Sequence, residues 1–264
     1  RFRPVKRWTF AALTLLLAAC GSQEGTRDAA ATAADLGRPV CDSVSFEGDD
    51  FTVCTADPSH ARIAMFDADP DGVPYRSFSS LEIALASRAK SLLFAVNGGM
   101  FDESGLPIGY YVEDGKRMQT LSRAAGPGNF HLLPNGVFFG SNGTWRILTT
   151  DGFAEQVKTR PDFATQSGPM LLIDGQLHPK IAPNGQSHHI RNAVGIDAKG
   201  RAVFVISNSA VSFGRLARLY RDRLDCRNAL YLDGSVSSLW FPEGDRMDQR
   251  APLGPIIAVF AKDR

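Results

Sequence analysis

The chain has 264 residues, of which 44% are hydrophobic and 22% charged, and its formal net charge is +1. This composition is ordinary for a soluble globular protein. Four of the basic residues lie within the first seven positions; without them, 25 basic residues face 28 acidic ones, a net charge of about −3. Nothing in that balance indicates a nucleic-acid-binding surface, so we expect no nucleic-acid partner.

The first twenty residues have the pattern of a bacterial export signal. The basic residues precede an apolar run, Trp8–Ala19, which is too short to span a bilayer comfortably. The run ends in Leu17-Ala18-Ala19-Cys20, which resembles the lipobox of bacterial lipoproteins. We therefore expect residues 1–20 to be a signal peptide and Cys20 to carry a lipid anchor to the membrane; an ordinary secretory signal is the alternative. Gly21 is not an aspartate, which by resemblance to lipoprotein sorting rules favours the cell envelope, at the outer membrane facing the periplasm.

The next segment, residues 21–39, is rich in alanine, threonine, glycine and charge and contains no aromatic residue. It has little to bury, so we predict a flexible tether. The remaining residues, 40–264, are enough for one large hydrophobic core, and we predict a single domain there.

Three cysteines follow Cys20, and an exported location permits a disulfide. Cys41 and Cys54 would close a short loop, whereas Cys54 and Cys226 would tie the N-terminal strand to the C-terminal half. One thiol is left over in either case, and the sequence does not choose between them. No CxxC or His-x-x-x-His spacing is present, so a zinc site is not expected. No cofactor is predicted.

The chain reads as an α+β fold, with a strand-rich mixed sheet core and a few helices. Phe51–Ala56 and Arg62–Asp67 are predicted strands joined as a hairpin by a turn at Asp57. Two helices are predicted: one begins at the capping box Ser79-x-x-Glu82, and the other follows Ser212. Further hairpin turns are predicted at Asp114-Gly115, Asn142-Gly143, Asp174-Gly175 and Lys199-Gly200.

Three apolar runs end in a polar residue followed by glycine or serine. Their ends are Asn97-Gly98-Gly99, Ser207-Asn208-Ser209 and Asp233-Gly234-Ser235. A continuous apolar run indicates a strand buried on both faces, and ligands of open α/β sheets favour strand ends. If these strands are neighbours, Asn97, Asn208 and Asp233 would converge. A simple turn is the alternative at each position.

Two other segments carry polar side chains beside buried strands. Gln166 and Ser167 lie in a small polar stretch before Met170–Ile173, but Ser167 lacks the Gly-x-Ser-x-Gly pattern of a nucleophile elbow. Arg191 precedes the apolar strand that starts at Ala193. In a polar cleft this arginine would be an anion clamp, because its planar guanidinium suits phosphate and carboxylate; a surface charge is the alternative.

Taken in order, these short motifs resemble the phosphodiester glycosidase family, and most of all its bacterial exported branch. The resemblance covers about Phe46 to Phe260. The segments that carry it are Asn97–Phe101, Gly128–Phe130, Asn135–Phe138, Gln166–Pro169, Arg191–Gly195 and Leu232–Ser238.

The resemblance implies hydrolysis of the bond between a sugar and the phosphate of a sugar-1-phosphodiester, in an envelope or extracellular glycan such as an exopolysaccharide. It implies catalytic roles for Asp233, as nucleophile or as base for water, for Arg191, on the phosphate, and for Asn97. The implied substrate contacts are Gly98, Gly99, Phe101, Gln166, Ser167, Gly234 and Ser237. The family's Asp-Gly-Gly-Gly-Ser pattern reads Asp233-Gly-Ser-Val-Ser237 here, so two glycines that permit wide loop conformations are replaced.

Three questions stay open at this point. No second catalytic carboxylate stands out, although Asp102, Glu103 and Asp197 are nearest by position. The metal requirement of the family is not settled by the sequence. The replaced glycines would also suit a glycan-binding or assembly lipoprotein that keeps the fold without the chemistry.

Overall fold

The structure is a computed structural model and describes Phe2 and residues 40–262. Strands dominate this part of the chain. Apart from Phe2, the predicted signal peptide, with the predicted lipidation site Cys20, and the predicted tether therefore lie outside the described residues. The strands, in chain order, are β1 (Cys41–Phe46), β2 (Asp49–Ala56), β3 (Ala61–Phe66), β4 (Leu92–Asn97), β5 (Tyr111–Glu113), β6 (Lys116–Gln119), β7 (Gly136–Ser141), β8 (Thr144–Thr149), β9 (Phe163–Ser167), β10 (Met170–Ile173), β11 (Gln176–Leu177), β12 (Asn192–Asp197), β13 (Ala202–Ser207), β14 (Cys226–Tyr231), β15 (Leu239–Phe241), β16 (Arg246–Met247) and β17 (Ile256–Ala261).

The strands form three antiparallel sheets. The largest has the order β1-β2-β13-β12-β14-β10-β11, the second β16-β15-β4-β17-β3 and the third β6-β5-β9-β7-β8. The sheets bury their facing apolar side chains in a shared core. Phe204 of the first sheet lies at its centre, because its ring contacts Phe94 of the second sheet and Phe138 of the third at centroid distances of 5.4 and 5.9 Å. Strand-rich α+β is thus the observed fold class, as predicted.

Short helices cover the outer faces of the sheets. They are α1 (Phe78–Leu85), α2 (Thr150–Gln156) and α3 (Phe213–Arg218), with single helical turns at Ala86–Ser91, Asn129–His131, Leu219–Arg223, Gly234–Val236 and Pro242–Gly244. Helix α3 begins after Ser212, as predicted, and the Ser212 hydroxyl accepts from the Arg215 N–H. Helix α1 also forms, but its cap is Ser77, which accepts from the Ser80 N–H, so the capping box at Ser79 was wrong. Helix α2 was not predicted.

The predicted turns are mostly confirmed, with one wrong pairing. Strand pairs β5–β6, β7–β8, β10–β11 and β12–β13 are hairpins at the four Gly-containing turns. Strands β2 and β3 do not form a hairpin: β2 lies between β1 and β13, whereas β3 pairs with β17 in another sheet. At the Asp57 turn the chain instead passes from the first sheet to the second.

Cys41 is joined to Cys54 by a disulfide across the first register position of β1 and β2. Cys226 is a buried free thiol. Of the two pairings that the sequence left open, the structure contains the local one. No helix within the described residues is long and apolar enough to cross a membrane.

Candidate functional site

Two of the three polar strand ends meet where the first and second sheets adjoin. The Asn97 Nδ2 donates to the Asp233 carbonyl oxygen at 2.8 Å, and the Asp233 N–H donates to the Gly98 carbonyl at 3.2 Å. The third end does not join them. Asn208 is exposed and its amide oxygen accepts from the Thr52 hydroxyl, so its predicted convergence was wrong.

The Asn97 side chain makes its hydrogen bonds within this junction. It is 1% exposed, and its Oδ1 accepts from the Asn192 Nδ2 and from the Ser238 N–H, both at 2.9 Å. Both oxygen lone pairs are therefore used. Ser237 is buried too, and its hydroxyl lies within hydrogen-bond distance of the Asn192 Oδ1 and of the Gly234 carbonyl. These side chains hold the Asp233 loop in place and leave little for a ligand.

Gln166 has a similar structural role on strand β9. Its Oε1 accepts from the N–H groups of Tyr110 and Ser122, and its Nε2 donates to the Ser122 carbonyl and to the Thr150 hydroxyl. All four hydrogen-bonding positions of the amide are occupied. Its role as a substrate contact, expected from the resemblance, would need this network to open.

Ser167 differs from Gln166, because its hydroxyl is buried without a partner among the described residues. Side chains alternate along a strand, so Ser167 shares its face of β9 with Thr165. The Thr165 hydroxyl accepts from the Gly99 N–H at 3.2 Å, which places this face toward the Asn97–Phe101 segment. A buried hydroxyl without a partner is unfavourable, and a ligand oxygen would satisfy it.

The adjacent glycines let two backbones approach closely. A side chain on Gly99 would place its Cβ 2.4 Å from the Gln166 carbonyl oxygen, and one on Gly98 would lie 3.0 Å from the Pro255 carbonyl. Real Cβ contacts are longer than these distances. Close packing against neighbouring backbone therefore requires glycine at both positions, and the approach of a ligand is not the reason. Phe101 is partly buried, with the Arg76 guanidinium 5.1 Å from its ring centroid.

Arg191 is buried in the first sheet without an acidic partner among the described residues. Its residue exposure is 1%, its Nε donates to the Val211 carbonyl, and its Nη2 donates to the carbonyl and hydroxyl of Ser187. Its Nη1 donates to the Tyr231 hydroxyl at 3.2 Å, and the guanidinium stacks 3.6 Å from the Phe213 ring centroid. Burial lowers the pKa of Arg191 from its usual value, and no carboxylate offsets that desolvation.

Tyr231 connects Arg191 to the Asp233 loop. Its hydroxyl accepts from Arg191 and lies so close to Gly234 that a Cβ there would overlap it. Sequence reasoning missed Tyr231, because it reads as one more apolar residue of strand β14. The available signal was its spacing, since Tyr231 and Asp233 are two residues apart in extended backbone and share a face.

Asp233 is the acidic group of this junction. Burial raises the pKa of its carboxyl above the usual value, and hydrogen bonds from Ser235, including its N–H at 3.0 Å, partly counter that effect. Asp197, one of the carboxylates nearest by position, is paired with Arg201 at 2.7 Å at the far end of β12. Asp102 accepts the N–H groups of Ser104 and Leu106 within its own turn. Neither completes a pair with Asp233.

A different pair of carboxyls lies at the same edge of the second sheet. Phe66 and Asn97 both pair with Ile256, so Asp67, one residue past β3, is about 10 Å from the Asn97 backbone, two strand spacings away. Burial raises the pKa of Asp67 to about 6 and that of Glu113 to about 7. The Glu113 Oε2 accepts from the Asp67 N–H and from the Tyr111 hydroxyl. No pattern in the sequence indicates this pair, because isolated acidic residues are usually solvated.

Asp233 does not line either of two cavities, of about 310 and 500 Å³, in the described part of the chain. The smaller one is lined in part by Asn135, Thr150 and the exposed ion pair of Arg123 and Asp151. We find no group of three or more His, Cys, Asp or Glu side chains placed to hold a metal ion in the described part of the chain.

Comparison with known proteins identifies relatives of this chain. The phosphodiester glycosidase family profile matches residues 90–260. The uncharacterized protein YigE of Escherichia coli (strain K12) is 36% identical over 208 residues, which is 79% of this chain and 81% of YigE.

Two solved structures share the fold. The catalytic domain of zebrafish N-acetylglucosamine-1-phosphodiester alpha-N-acetylglucosaminidase, auto-inhibited by its pro-peptide, superposes with a TM-score of 0.56 at 16% identity, covering 86% of this chain and 85% of that one. A putative exported protein from Burkholderia pseudomallei K96243 has a TM-score of 0.51 at 13% identity, with 80% and 74% covered.

Proposed function

The chain belongs to the phosphodiester glycosidase family, and from that premise we propose that it hydrolyses the bond between a sugar and the phosphate of a sugar-1-phosphodiester. The family is one of hydrolases. The substrate we propose is a phosphodiester-linked glycan of the cell envelope or its surroundings, including exopolysaccharide.

The chemistry needs little acid assistance. When the sugar C1–O bond breaks, its electron pair stays on the phosphate oxygen. A phosphate monoester has a second pKa of about 6, so it leaves readily. The site must instead stabilise the negative charge on the phosphate and the oxocarbenium character of the sugar. A fixed cation and a carboxylate, on either side of C1, meet both needs.

The observation that carries the proposal is the buried guanidinium of Arg191. A buried cation without a carboxylate costs free energy in the unliganded protein, and a phosphate would supply the missing anion. Its link to the Asp233 loop through Tyr231 and Gly234 supports one site that holds both charges.

Asp233 supplies the carboxylate in this scheme. It attacks the sugar C1, or it takes the proton from a water that does so, and the phosphate departs toward Arg191. Ser167 supports ligand binding from the third sheet, because its buried hydroxyl lacks a partner among the described residues. Asn97, Gln166 and Ser237 act as positioning residues, since their hydrogen bonds hold the Asp233 loop and the end of strand β9 that carries Ser167.

We propose further that the protein is an exported lipoprotein, anchored through Cys20 in the outer membrane and facing the periplasm. The Leu17–Cys20 sequence supports this location, and residues 21–39 would tether the domain close to envelope glycans. Incorporation of labelled palmitate into wild type, and its loss in Cys20→Ser, tests the anchor independently of the enzymatic activity.

The activity is tested with methyl phosphodiesters of common α-hexose 1-phosphates and of α-N-acetylglucosamine 1-phosphate. We expect wild-type turnover of at least one, and a loss of about 10²–10⁴-fold in Asp233→Asn and a large loss in Arg191→Ala. Matched controls are Asp174→Asn, in an exposed Asp-Gly turn, and Arg227→Ala, on the exposed side of β14. Unchanged turnover in both site variants would refute the assignment. Glycan binding without any turnover would favour the non-catalytic glycan-binding lipoprotein, to which Ser235 and Val236 in place of glycine also point.

A further inference from the structure

The contacts of Arg191 leave it a poor direct ligand for phosphate. A guanidinium has five N–H donors, and four hydrogen bonds from Arg191 already reach Val211, Ser187 and Tyr231. At most one N–H, on Nη1, is left. The bidentate fork that usually binds phosphate is therefore not presented to a ligand.

Tyr231 is arranged in the opposite way. A phenol hydroxyl has two acceptor lone pairs and one proton. Arg191 occupies one acceptor position, and within the described residues no acceptor receives the phenol proton. Because one lone pair faces the Arg191 donor, the O–H bond points away from Arg191.

The ring of Tyr231 is fixed as firmly as its hydroxyl. It is buried and packs edge-on against Phe213 with ring centroids 4.7 Å apart, and Phe213 in turn lies under the Arg191 guanidinium. Donation from a guanidinium polarises the phenol and strengthens it as a donor, since hydrogen bonds in a chain reinforce one another. Burial also raises the pKa of Tyr231, so the proton stays on the hydroxyl at neutral pH.

The geometry points to Tyr231 as the group that touches the substrate phosphate, with Arg191 as a positioning residue that acts through it. Tyr231 donates a hydrogen bond to a non-bridging phosphate oxygen. It keeps its proton throughout, and the bond strengthens as negative charge builds on the phosphate when the sugar C1–O bond breaks. This inference rests on the proposed function for its catalytic consequence, but not for phosphate binding itself.

The binding test uses inorganic phosphate and the full chain, with affinity measured by titration calorimetry. We expect Tyr231→Phe to weaken phosphate binding by about 10- to 100-fold, the usual effect of losing a hydrogen bond to a charged group. The matched control is Tyr220→Phe. This second buried phenol donates to the Ala193 and Val203 carbonyls and so has a structural role for its proton.

The positioning role of Arg191 is tested by a double-mutant cycle with Arg191→Lys, which keeps the charge. If Arg191 acts through the phenol, Arg191→Lys weakens phosphate binding in the wild type but adds little in the Tyr231→Phe background. Additive losses would show direct contact by Arg191 and overturn the inference. Equal phosphate affinity in wild type and Tyr231→Phe, or no phosphate binding by wild type, would overturn it as well.

The kinetic test separates this inference from the proposed function. With a sugar-1-phosphodiester that wild type turns over, Tyr231→Phe should lower kcat by about 10²-fold, as for the loss of an oxyanion donor, with a smaller change in KM. If wild type binds phosphate through Tyr231 but hydrolyses no such substrate, the proposed function fails and the Tyr231 site stands. If turnover survives unchanged in Tyr231→Phe, the Tyr231 inference fails and the proposed function stands.

Discussion

Replacing Asp67 by asparagine should stabilise the fold in alkaline solution and leave it unchanged in acid. Asp67 is 5% exposed and its Oδ1 has no partner among the described residues. Burial is the main reason for its raised pKa; the charge of Asp102 adds to it, and that of Arg76 offsets it only in part. The ionised carboxyl therefore destabilises the folded state.

The size of the effect follows from the shift in pKa. The folded value is about 6 against 3.8 for the unperturbed group, and each unit corresponds to about 1.4 kcal/mol. The free energy of unfolding that Asp67 supplies is fully present below pH 3.8 and is lost as the pH rises through about 6. At about pH 8, Asp67→Asn should therefore raise the free energy of unfolding by up to about 3 kcal/mol.

Glu113→Gln should also raise the free energy of unfolding in alkaline solution, because burial raises the pKa of Glu113 to about 7. The gain should develop as the pH rises through about 7. The charge of Asp67 also raises the pKa of Glu113. Removing the charge of Asp67 therefore lowers the pKa of Glu113, and the double variant should gain less than the sum of the single ones.

The assay is urea denaturation of the full chain at about pH 4 and about pH 8. The matched control is Asp71→Asn, an exposed aspartate four residues away in the same loop. A gain for Asp67→Asn that is equal at both pH values would show that packing, not titration, is responsible. A loss of stability at about pH 8 would refute the reasoning, because it would mean that the ionised Asp67 has a stabilising partner.

Three further predictions concern packing, covalent structure and titration. Gly99→Ala should lower the free energy of unfolding by about 1–3 kcal/mol in the same assay, because its Cβ would lie 2.4 Å from a backbone oxygen; Gly185→Ala, whose nearest neighbour is 3.5 Å away, should cost far less, and equal costs would contradict the packing argument. Replacing both Cys41 and Cys54 by alanine should remove about 3 kcal/mol, since the bond closes a loop with a sequence separation of 13, and an unchanged urea midpoint would count against that estimate. If Asp233 acts ionised, the acidic limb of kcat/KM should lie above the 3.8 of an unperturbed aspartate, because burial raises its pKa; a limb at or below that value would argue against this role.

The local parts of the fold were the predictable ones. Turns such as Asn142-Gly143 and Asp174-Gly175 specify hairpins through the positive φ angles of both residues, and no distant contact is needed. The partner of β3 was not predictable in this way. It is β17, nearly two hundred residues along the chain, and the short turn at Asp57 favoured the wrong neighbour.

In the candidate site, too, only the features that depend on local sequence were predictable. Polar residues after apolar strands led to Asn97 and Asp233, and the structure brings them together. Their division into a positioning residue and an acidic group depends on partners such as Asn192 and Ser238, far away in sequence, so spacing could not reveal it. Tyr231 was hidden for a different reason: a tyrosine in an apolar run satisfies the core pattern whatever its hydroxyl does.

The disulfide between Cys41 and Cys54 has a mechanical meaning for a tethered domain. Strand β1 is the edge of its sheet, and the bond closes the open end of the β1–β2 hairpin, opposite its turn. A pull applied through the residues before Val40 would otherwise peel β1 from β2 one backbone pair at a time. With the disulfide in place, the force passes through a covalent bond into β2, which is flanked by strands on both sides. A domain held by its N-terminus would thus resist tension at the point where the tension enters.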